Sequence, residues 1–322
     1  MKAGAQDSME NITFVTQFIL VGLSNNHKTQ IVLFAVFLLI YLLTIVGNLV
    51  IIMLIQVDSH LQTPMYYFLT HLSILEICYI SSTVPQMLAH LLAGNGAISF
   101  TRCAVQMYIA LSLGSTEGLL LGAMAYDRYL AICHPLLYVI AMGRWRQLQL
   151  ASSAWTGGFL LSILNVGCTL CLPFCGPNRV NHFFCELPVI LKLACADTWI
   201  TEAVIFGAAV LILLVPLSVI LTSYSLILFS VLQMPSASGR HKAFSTCASH
   251  LAVVILFYGT VISMYMRPRS DTTTDIDKRI AVFYILVTPL LNPFIYTLRN
   301  KDVHNAVVKV FQRWGFQMKL QH

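Results

Sequence analysis

The chain has 322 residues, of which 57% are hydrophobic and only 10% are charged, and its formal net charge is +6 at pH 7. Soluble domains carry roughly 25% charged residues, so this composition excludes an ordinary water-soluble protein and indicates that much of the surface faces lipid. The charge is mild and forms no polybasic run, which argues against nucleic-acid binding. It favours contact with anionic lipid or an acidic cytoplasmic partner instead.

Seven apolar stretches follow one another along the chain, and a helix needs about 20 such residues to cross a bilayer. The connections between them are mostly short. We therefore predict an all-α fold, a seven-transmembrane helix bundle in the plasma membrane. The predicted spans are residues 31–55, 65–88, 105–125, 148–172, 203–234, 243–266 and 280–298.

The predicted domains are a tail over residues 1–28, the bundle over residues 29–298 and a second tail over residues 299–322. A secretory signal peptide has a basic segment, then an apolar segment and then a cleavage site with small residues, and the first residues do not show this order. The first span is therefore expected to act as an uncleaved anchor. Asn11-Ile12-Thr13 fits the N-glycosylation pattern, which would place the N-terminus outside the cell.

The C-terminal tail is expected to lie on the inner membrane surface. Val303, Val307, Val310, Phe311 and Trp314 fall near one helical face with basic residues around them. This pattern predicts a short amphipathic helix on the membrane, and a disordered tail is the alternative.

Cysteines cluster on one side of the predicted bundle. Cys103 lies at the mouth of the third span, and five of the nine cysteines fall at or between the fourth and fifth spans. Such clustering indicates an oxidising extracellular face, although sequence alone does not give the pairing. The five are Cys168, Cys171, Cys175, Cys185 and Cys195.

Glu76 and Glu117 are the acidic residues placed in the middle of predicted spans. Two carboxylates in a low-dielectric bundle are unfavourable when both are ionised and neither has a counter-ion. We therefore expect that they share a cation or that one of them is protonated. A membrane transporter or an ion or proton pathway that uses this pair is the alternative function. Transporters often contain internal repeats, and the two halves of this chain are not self-similar.

Two helical stripes are candidate cavity walls. Small residues on one helical face are typical of close packing, so spacing alone does not decide between packing and a cavity. In the third span the stripe is Met107, Ala110, Leu111, Gly114, Ser115 and Gly118, and in the sixth it is Tyr258, Val261, Ile262 and Tyr265.

Arg128 at the inner end of the third span is costly unless it is paired or faces water. The neighbouring Asp127 can hold it as an ion pair, whereas a lone arginine here would be read as an interfacial anchor. When released, the guanidinium offers a planar set of donors to backbone carbonyls of an inserted partner.

Six segments, which follow one another in the expected order along the chain, resemble the olfactory receptor family of rhodopsin-like G-protein-coupled receptors. Together they cover nearly the whole chain. The outer-loop sequence NHFFCELPVILKLAC at residues 181–195 resembles the tetrapod-type branch of that family. The six are Gly47-Asn48, LQTPMYYFL at residues 61–69, MAYDRYLAICHPLLY at 124–138, Ser223-Tyr224, KAFSTCASHL at 242–251 and PLLNPFIYTLRN at 289–300.

The resemblance implies residue roles. It places both stripes around a ligand cavity, with Ala208 and Ile212 of the fifth span nearby. It pairs Cys103 with Cys185 and Cys175 with Cys195, and it favours a sodium-like site formed by Asn48, Glu76, Glu117 and Asn292. The implied G-protein switch comprises Asp127, Arg128, Tyr129, Tyr224, Lys242, Asn292, Pro293 and Tyr296.

The resemblance also implies the function. The chain is expected to be an odorant receptor that binds small, mostly apolar volatile ligands and activates a stimulatory G protein to raise cAMP. Ala110 occupies the position where amine receptors have an acidic residue. A charged-amine ligand bound through that contact is therefore disfavoured. No enzyme motif is present, and no cofactor is expected. His182, Cys185 and Glu186 could form a metal-binding cluster, but a disulfide-bonded Cys185 would be a poor ligand, so no metal is expected either.

Overall fold

A computed structural model describes residues 15–175, 178–265, 274–299, 303 and 305–308 of the chain. Seven helices within these ranges are long and apolar enough to cross a membrane, which confirms the predicted bundle. The helices are α1 (His27–Val57), α2 (Pro64–Ala93), α3 (Phe100–Cys133), α4 (Pro135–Ala141), α5 (Arg144–Leu170), α6 (Leu187–Leu191), α7 (Trp199–Leu232), α8 (Ala237–Tyr265), α9 (Thr274–Val282) and α10 (Thr288–Arg299).

Six spans are single helices, namely α1, α2, α3, α5, α7 and α8. The seventh runs from α9 through a π-helical turn at Phe283–Val287 into α10. α4 lies between the third and fourth spans, α6 lies in the loop before the fifth, and a 3₁₀ turn at Ser59–Leu61 joins α1 to α2.

Local capping chemistry explains where several helices begin and end. The side-chain oxygen of Asn26 accepts hydrogen bonds from the backbone amides of Lys28 and Thr29, at 3.0 and 3.4 Å, and so starts α1. The Ser99 hydroxyl accepts from the Arg102 amide at 3.3 Å and starts α3. α2 stops at Gly94, whose φ of 62° is the left-handed conformation that favours glycine.

α3 lies at the centre of the bundle, where it packs against α2, α5, α7 and α8. It comes very close to Gly158 of α5. A Cβ added at Gly158 would lie 2.2 Å from the Thr116 side-chain oxygen and 2.9 Å from the Ser112 carbonyl oxygen. The missing side chain lets the two backbones touch, which is how small residues stabilise helix pairs in membranes.

A small three-stranded sheet covers the outer end of the bundle, and the sequence did not predict it. β1 (Gln17–Leu20) lies in the middle, antiparallel to β2 (Ala97–Ser99) and parallel to β3 (Arg179–Val180). Phe18 and Leu20 alternate inward along β1, as strand geometry requires. This part of the predicted N-terminal tail is thereby held between two outer loops.

Both implied disulfides, Cys103–Cys185 and Cys175–Cys195, are present at this outer end. The first joins the start of α3 to the loop between α5 and α7. The second closes a shorter ring within that loop. All four cysteines therefore lie on the face that carries the sheet, in agreement with an oxidising extracellular side.

Candidate functional site

A cavity of about 160 Å³ opens in the outer half of the bundle, between α3, α7 and α8 and beneath the loop that contains α6. Seven of the eleven residues that the sequence placed at a ligand site line it. They are Met107, Ala110, Leu111, Gly114 and Ser115 of α3, Ile212 of α7 and Val261 of α8.

Three other candidates do not line this cavity. Ala208 is buried against the bundle while its neighbour Ala209 faces the cavity. Ile262 is 39% exposed on the outside of α8. Tyr258 is buried, and its hydroxyl donates to the Gly118 carbonyl oxygen at 3.4 Å. The side chain of Tyr265, the remaining candidate, lies outside the described residues.

On α8 the predicted face and the face that lines the cavity differ by a rotation of one residue. The residues of α8 that line the cavity are Phe257, Thr260, Val261 and Met264, which recur at i, i+3, i+4 and i+7. The predicted stripe had the same period and began at Tyr258. One residue corresponds to about 100° of helical rotation, enough to turn a side chain out of the cavity.

Further lining residues come from elements that the sequence did not connect to the cavity. Glu117 lies in α3 itself but was predicted only as part of an ion site. The others are Tyr79 of α2, Asn165 of α5, Phe184, Cys185, Glu186, Leu187 and Pro188 of the outer loop, Ile205, Ala209 and Leu213 of α7, and Tyr284 and Thr288 of the seventh span.

The outer loop is fixed over the cavity by more than its disulfide. The backbone amide of Cys185 donates to the side-chain oxygen of Gln106 at 3.0 Å, and the Gln106 amide nitrogen donates to the Ser82 carbonyl at 3.3 Å. Gln106 is buried in α3. One glutamine therefore joins the loop, α3 and α2 directly beside Cys103.

His182 belongs to the same loop and is buried between the rings of Phe183 and Phe184. Burial is the main reason why its pKa falls to about 3, and the positive charge of Lys278 lowers the pKa further. The imidazole is therefore neutral at physiological pH, and its 3.5 Å approach to Glu186 is not a full ion pair.

Beneath the cavity, the predicted ion-site residues come together from different helices. Glu76 of α2 is buried and accepts a hydrogen bond from the side-chain amide of Asn292 in α10. Asn48 of α1 lies beside the same carboxyl, and Glu117 is within electrostatic range of it. The second oxygen of Glu76 and the amide oxygen of Asn292 have no partner among the described residues.

The inner end of α3 differs from the expected ion pair. Asp127 is buried and accepts a hydrogen bond of 2.9 Å from the Tyr138 hydroxyl of α4. Within the described part of the chain no ion pair joins Asp127 to Arg128, and the Arg128 Nε atom has no hydrogen-bond partner. The aspartate therefore holds the inner loop, and the guanidinium is left for other contacts.

The remaining switch candidates surround this end of α3. Tyr224 of α7 shares a hydrogen bond of 2.6 Å with His250 of α8, and Tyr129 shares one of 2.9 Å with His134. Tyr296 is fully buried. Pro293 lies against Gly47, where an added Cβ would be 3.2 Å from the proline Cβ. The side chain of Lys242 lies outside the described residues, as do Asn11 and most of residues 299–322.

The inner face also presents an apolar surface, which we call the α4 surface. Leu136, Val139, Ile140 and Trp145 form it, and their exposed fractions run from 73% to 95%. Arg144 and Arg146 flank Trp145 and are exposed. Large apolar side chains exposed together in this way mark interaction sites.

Comparison with known proteins gives one consistent family. A family model described as olfactory receptor matches residues 37–313. The chain is 48% identical to human olfactory receptor 2T11, covering 93% of this chain and 95% of the relative. It is 47% identical to mouse olfactory receptor 5AP2, covering 98% and 99%. Squid rhodopsin, 16% identical, superposes with a TM-score of 0.69 over 89% of this chain and 86% of its own, which shows the shared fold.

These likenesses decide between the function classes that the sequence left open. The matched proteins are receptors with the rhodopsin fold, so the chain is not an enzyme, and nothing supports the alternative of a transporter that uses Glu76 and Glu117. The protein is a multi-pass plasma membrane protein with a small-molecule ligand and a G-protein partner. The chain belongs to the olfactory receptor family and is an odorant receptor.

Proposed function

We propose that small hydrophobic odorants bind in the cavity and that the occupied receptor activates a stimulatory G protein of the olfactory type, which raises cAMP. The observation that supports this most directly concerns α3. This one helix contributes six residues to the cavity wall and has Asp127, Arg128 and Tyr129 at its inner end. A ligand that changes the packing of α3 therefore acts on both sites through one rigid element.

The cavity limits the ligand to a compact, mostly apolar molecule. Its volume of about 160 Å³ is close to that of a protein cavity of roughly 150 Å³ that holds benzene. Most lining side chains are aliphatic or aromatic, with few polar groups among them. Such a wall binds neutral hydrophobic molecules by removing their apolar surface from water.

At the inner end, the proposal assigns the switch to Arg128 and its neighbours. The half-buried guanidinium forms no ion pair with Asp127, although that carboxyl is within electrostatic range of it. It can therefore donate to backbone carbonyls at the end of an inserted helix, which a planar set of donors suits well. The hydrogen bond between Tyr224 and His250 links α7 to α8 next to this arginine, so it must adjust when α8 moves.

The α4 surface is the proposed docking site for the G protein. Its exposed apolar side chains lie beside Arg144 and Arg146 at the inner mouth of the bundle. Apolar burial would supply affinity, and the basic residues would attract an acidic partner and anionic lipid. The domain division, the amphipathic helix in residues 299–322 and a glycan on Asn11 remain part of this proposal.

We also propose a sodium-like site at Glu76, Glu117, Asn48 and Asn292. The unpartnered oxygens of Glu76 and Asn292 are hard ligands buried next to a second carboxyl, and such donors fit a small cation. Replacing sodium by choline should change basal cAMP in the wild type and have less effect in Glu76→Gln. Equal sodium responses in the two proteins would contradict the site.

Bulk added at Gly114 should block the ligand response. No atom lies within 4 Å of a Cβ built at Gly114, so valine there extends into the cavity without displacing the protein. We expect Gly114→Val to reach the cell surface and to raise the odorant concentration for half-maximal cAMP at least tenfold.

Gly207→Val is the matched control for this experiment. Gly207 also has no atom within 4 Å of an added Cβ, but it is exposed on α7 and does not line the cavity. Its cAMP response should equal that of the wild type. Unchanged potency of every active odorant in Gly114→Val would place the binding site elsewhere.

Removal of the Arg128 guanidinium should abolish signalling and leave ligand access intact. We expect Arg128→Ala to reach the surface and to give no odorant-dependent cAMP, because the partner helix loses its donor set. Arg146→Ala, an exposed basic residue outside the switch, serves as the comparison and should lower the response only partly. Full cAMP production by Arg128→Ala would refute the assignment of this arginine.

A further inference from the structure

Glu117 forms part of the inner end of the ligand cavity. It belongs to the cavity lining, as does Met107 near the outer end of α3. Ten residues of α-helix separate the two, which corresponds to a depth of roughly 15 Å. The sequence suggested this carboxyl only as part of an ion site. Its position gives it access to any ligand that reaches the bottom of the cavity.

The carboxyl of Glu117 has no hydrogen-bond partner among the described residues, although only 9% of the residue is exposed. The second carboxyl of the lining, Glu186, lies 3.5 Å from His182 of the outer loop. The Thr260 hydroxyl donates to carbonyl oxygens of its own helix at 2.8 Å. Asn165 and Thr288 each present an unpartnered oxygen, but both are neutral. Glu117 is thus an ionisable group in the cavity wall whose carboxyl oxygens are available for hydrogen bonds with a ligand.

A carboxyl that faces an apolar cavity without a hydrogen-bond partner is costly, and a ligand that hydrogen-bonds to it offsets part of that cost. We propose that Glu117 is a specificity-determining ligand contact, and that the cavity selects small neutral molecules with one hydroxyl group on a compact hydrocarbon body. The inference rests on the proposed function, because it names the chemical class of the odorant that binds in the same cavity.

A hydroxyl group suits Glu117 in either protonation state. It donates to the ionised carboxylate, and with the protonated acid it can donate to the carbonyl oxygen as well as accept from the acid hydroxyl. Ethers and ketones can only accept, and hydrocarbons can do neither. A protonated amine would have to leave its water for a mostly apolar cavity, which costs more than transfer of a neutral alcohol. Alcohols and phenols are therefore the class that the wall chemistry favours.

The sodium-like site gives Glu117 a second possible role, and the two roles predict different results. A cation held by Glu76 and Glu117 biases the receptor as a whole, so its loss shifts the potency of all ligands by a common factor. A hydrogen bond from ligand to Glu117 is made only by molecules that carry a donor. The ratio of potencies between two matched ligands therefore separates direct contact from an effect on the whole receptor.

The test uses two sets of ligands that are matched in size. One is octanol, its isomer heptyl methyl ether, and nonane, and the other is benzyl alcohol, its isomer anisole, and ethylbenzene. Concentration–response curves for cAMP are measured with wild type, Glu117→Gln and Glu117→Met, each corrected for surface expression. Glu202→Gln is the control, because this carboxyl is exposed on α7 and does not line the cavity.

In the wild type we expect the alcohol of a set to be about threefold to tenfold more potent than its isomeric ether, because only the alcohol donates a hydrogen bond to a carboxyl oxygen. The ratio should approach one in Glu117→Met, which has no oxygen to accept that bond, and should lie at or below the wild-type value in Glu117→Gln, whose amide oxygen still accepts. It should be unchanged in Glu202→Gln. If Glu117→Met does not reach the surface, Glu117→Ala takes its place, because it also lacks the acceptor.

Three results would overturn the inference. One is a wild type that responds equally to alcohols and ethers, and another is a wild type that responds to other odorants but to neither alcohol. The third is an alcohol-to-ether ratio that stays at the wild-type value in every Glu117 variant on the surface. A wild type that gives no cAMP response to a broad odorant panel would instead contradict the proposed function.

Discussion

The close packing of α3 in the centre of the bundle is the constraint on which the rest of the structure depends. At its outer end the Cys103–Cys185 disulfide and Gln106 fix α3 to the loop that covers the cavity. In the middle, the missing side chain of Gly158 lets α5 lie directly on it. At its inner end, Asp127 is tied to α4 through Tyr138. A helix held in this way transmits displacement along its length, since packed interiors deform little.

The residues that line the cavity and the residues of the proposed switch therefore lie on one helix, α3, with buried polar groups between them. The cavity wall ends at Glu117, and the carboxyl of Glu76 and its bond to Asn292 lie within electrostatic range. Asn292 belongs to α10, which also contains Pro293 and the buried Tyr296. A change at the bottom of the cavity thus reaches α3, α2 and α10 together. Coupling between distant sites requires a shared element of this kind with two arrangements.

The sequence predicted the seven spans, the four disulfide cysteines and the cavity face of α3, because each has a strong local or family pattern. It placed the α8 face one residue late, since the i, i+3, i+4, i+7 period fixes spacing and leaves the rotation of the helix to tertiary packing. β1 to β3 were missed because strands of two to four residues have no period until they pair. The expected Asp127–Arg128 pair was replaced by Asp127–Tyr138, a contact between elements that spacing cannot reveal.

The central claim, that one packed helix couples the cavity to the inner face, is tested most directly by measuring ligand affinity with and without the G protein. Coupling is reciprocal, so a partner that binds better when ligand is present must also tighten ligand binding. In membranes containing the wild-type receptor and nucleotide-free stimulatory G protein, an active odorant should bind about 5-fold to 150-fold more tightly than after excess GTP is added. Equal affinity under the two conditions would contradict the account.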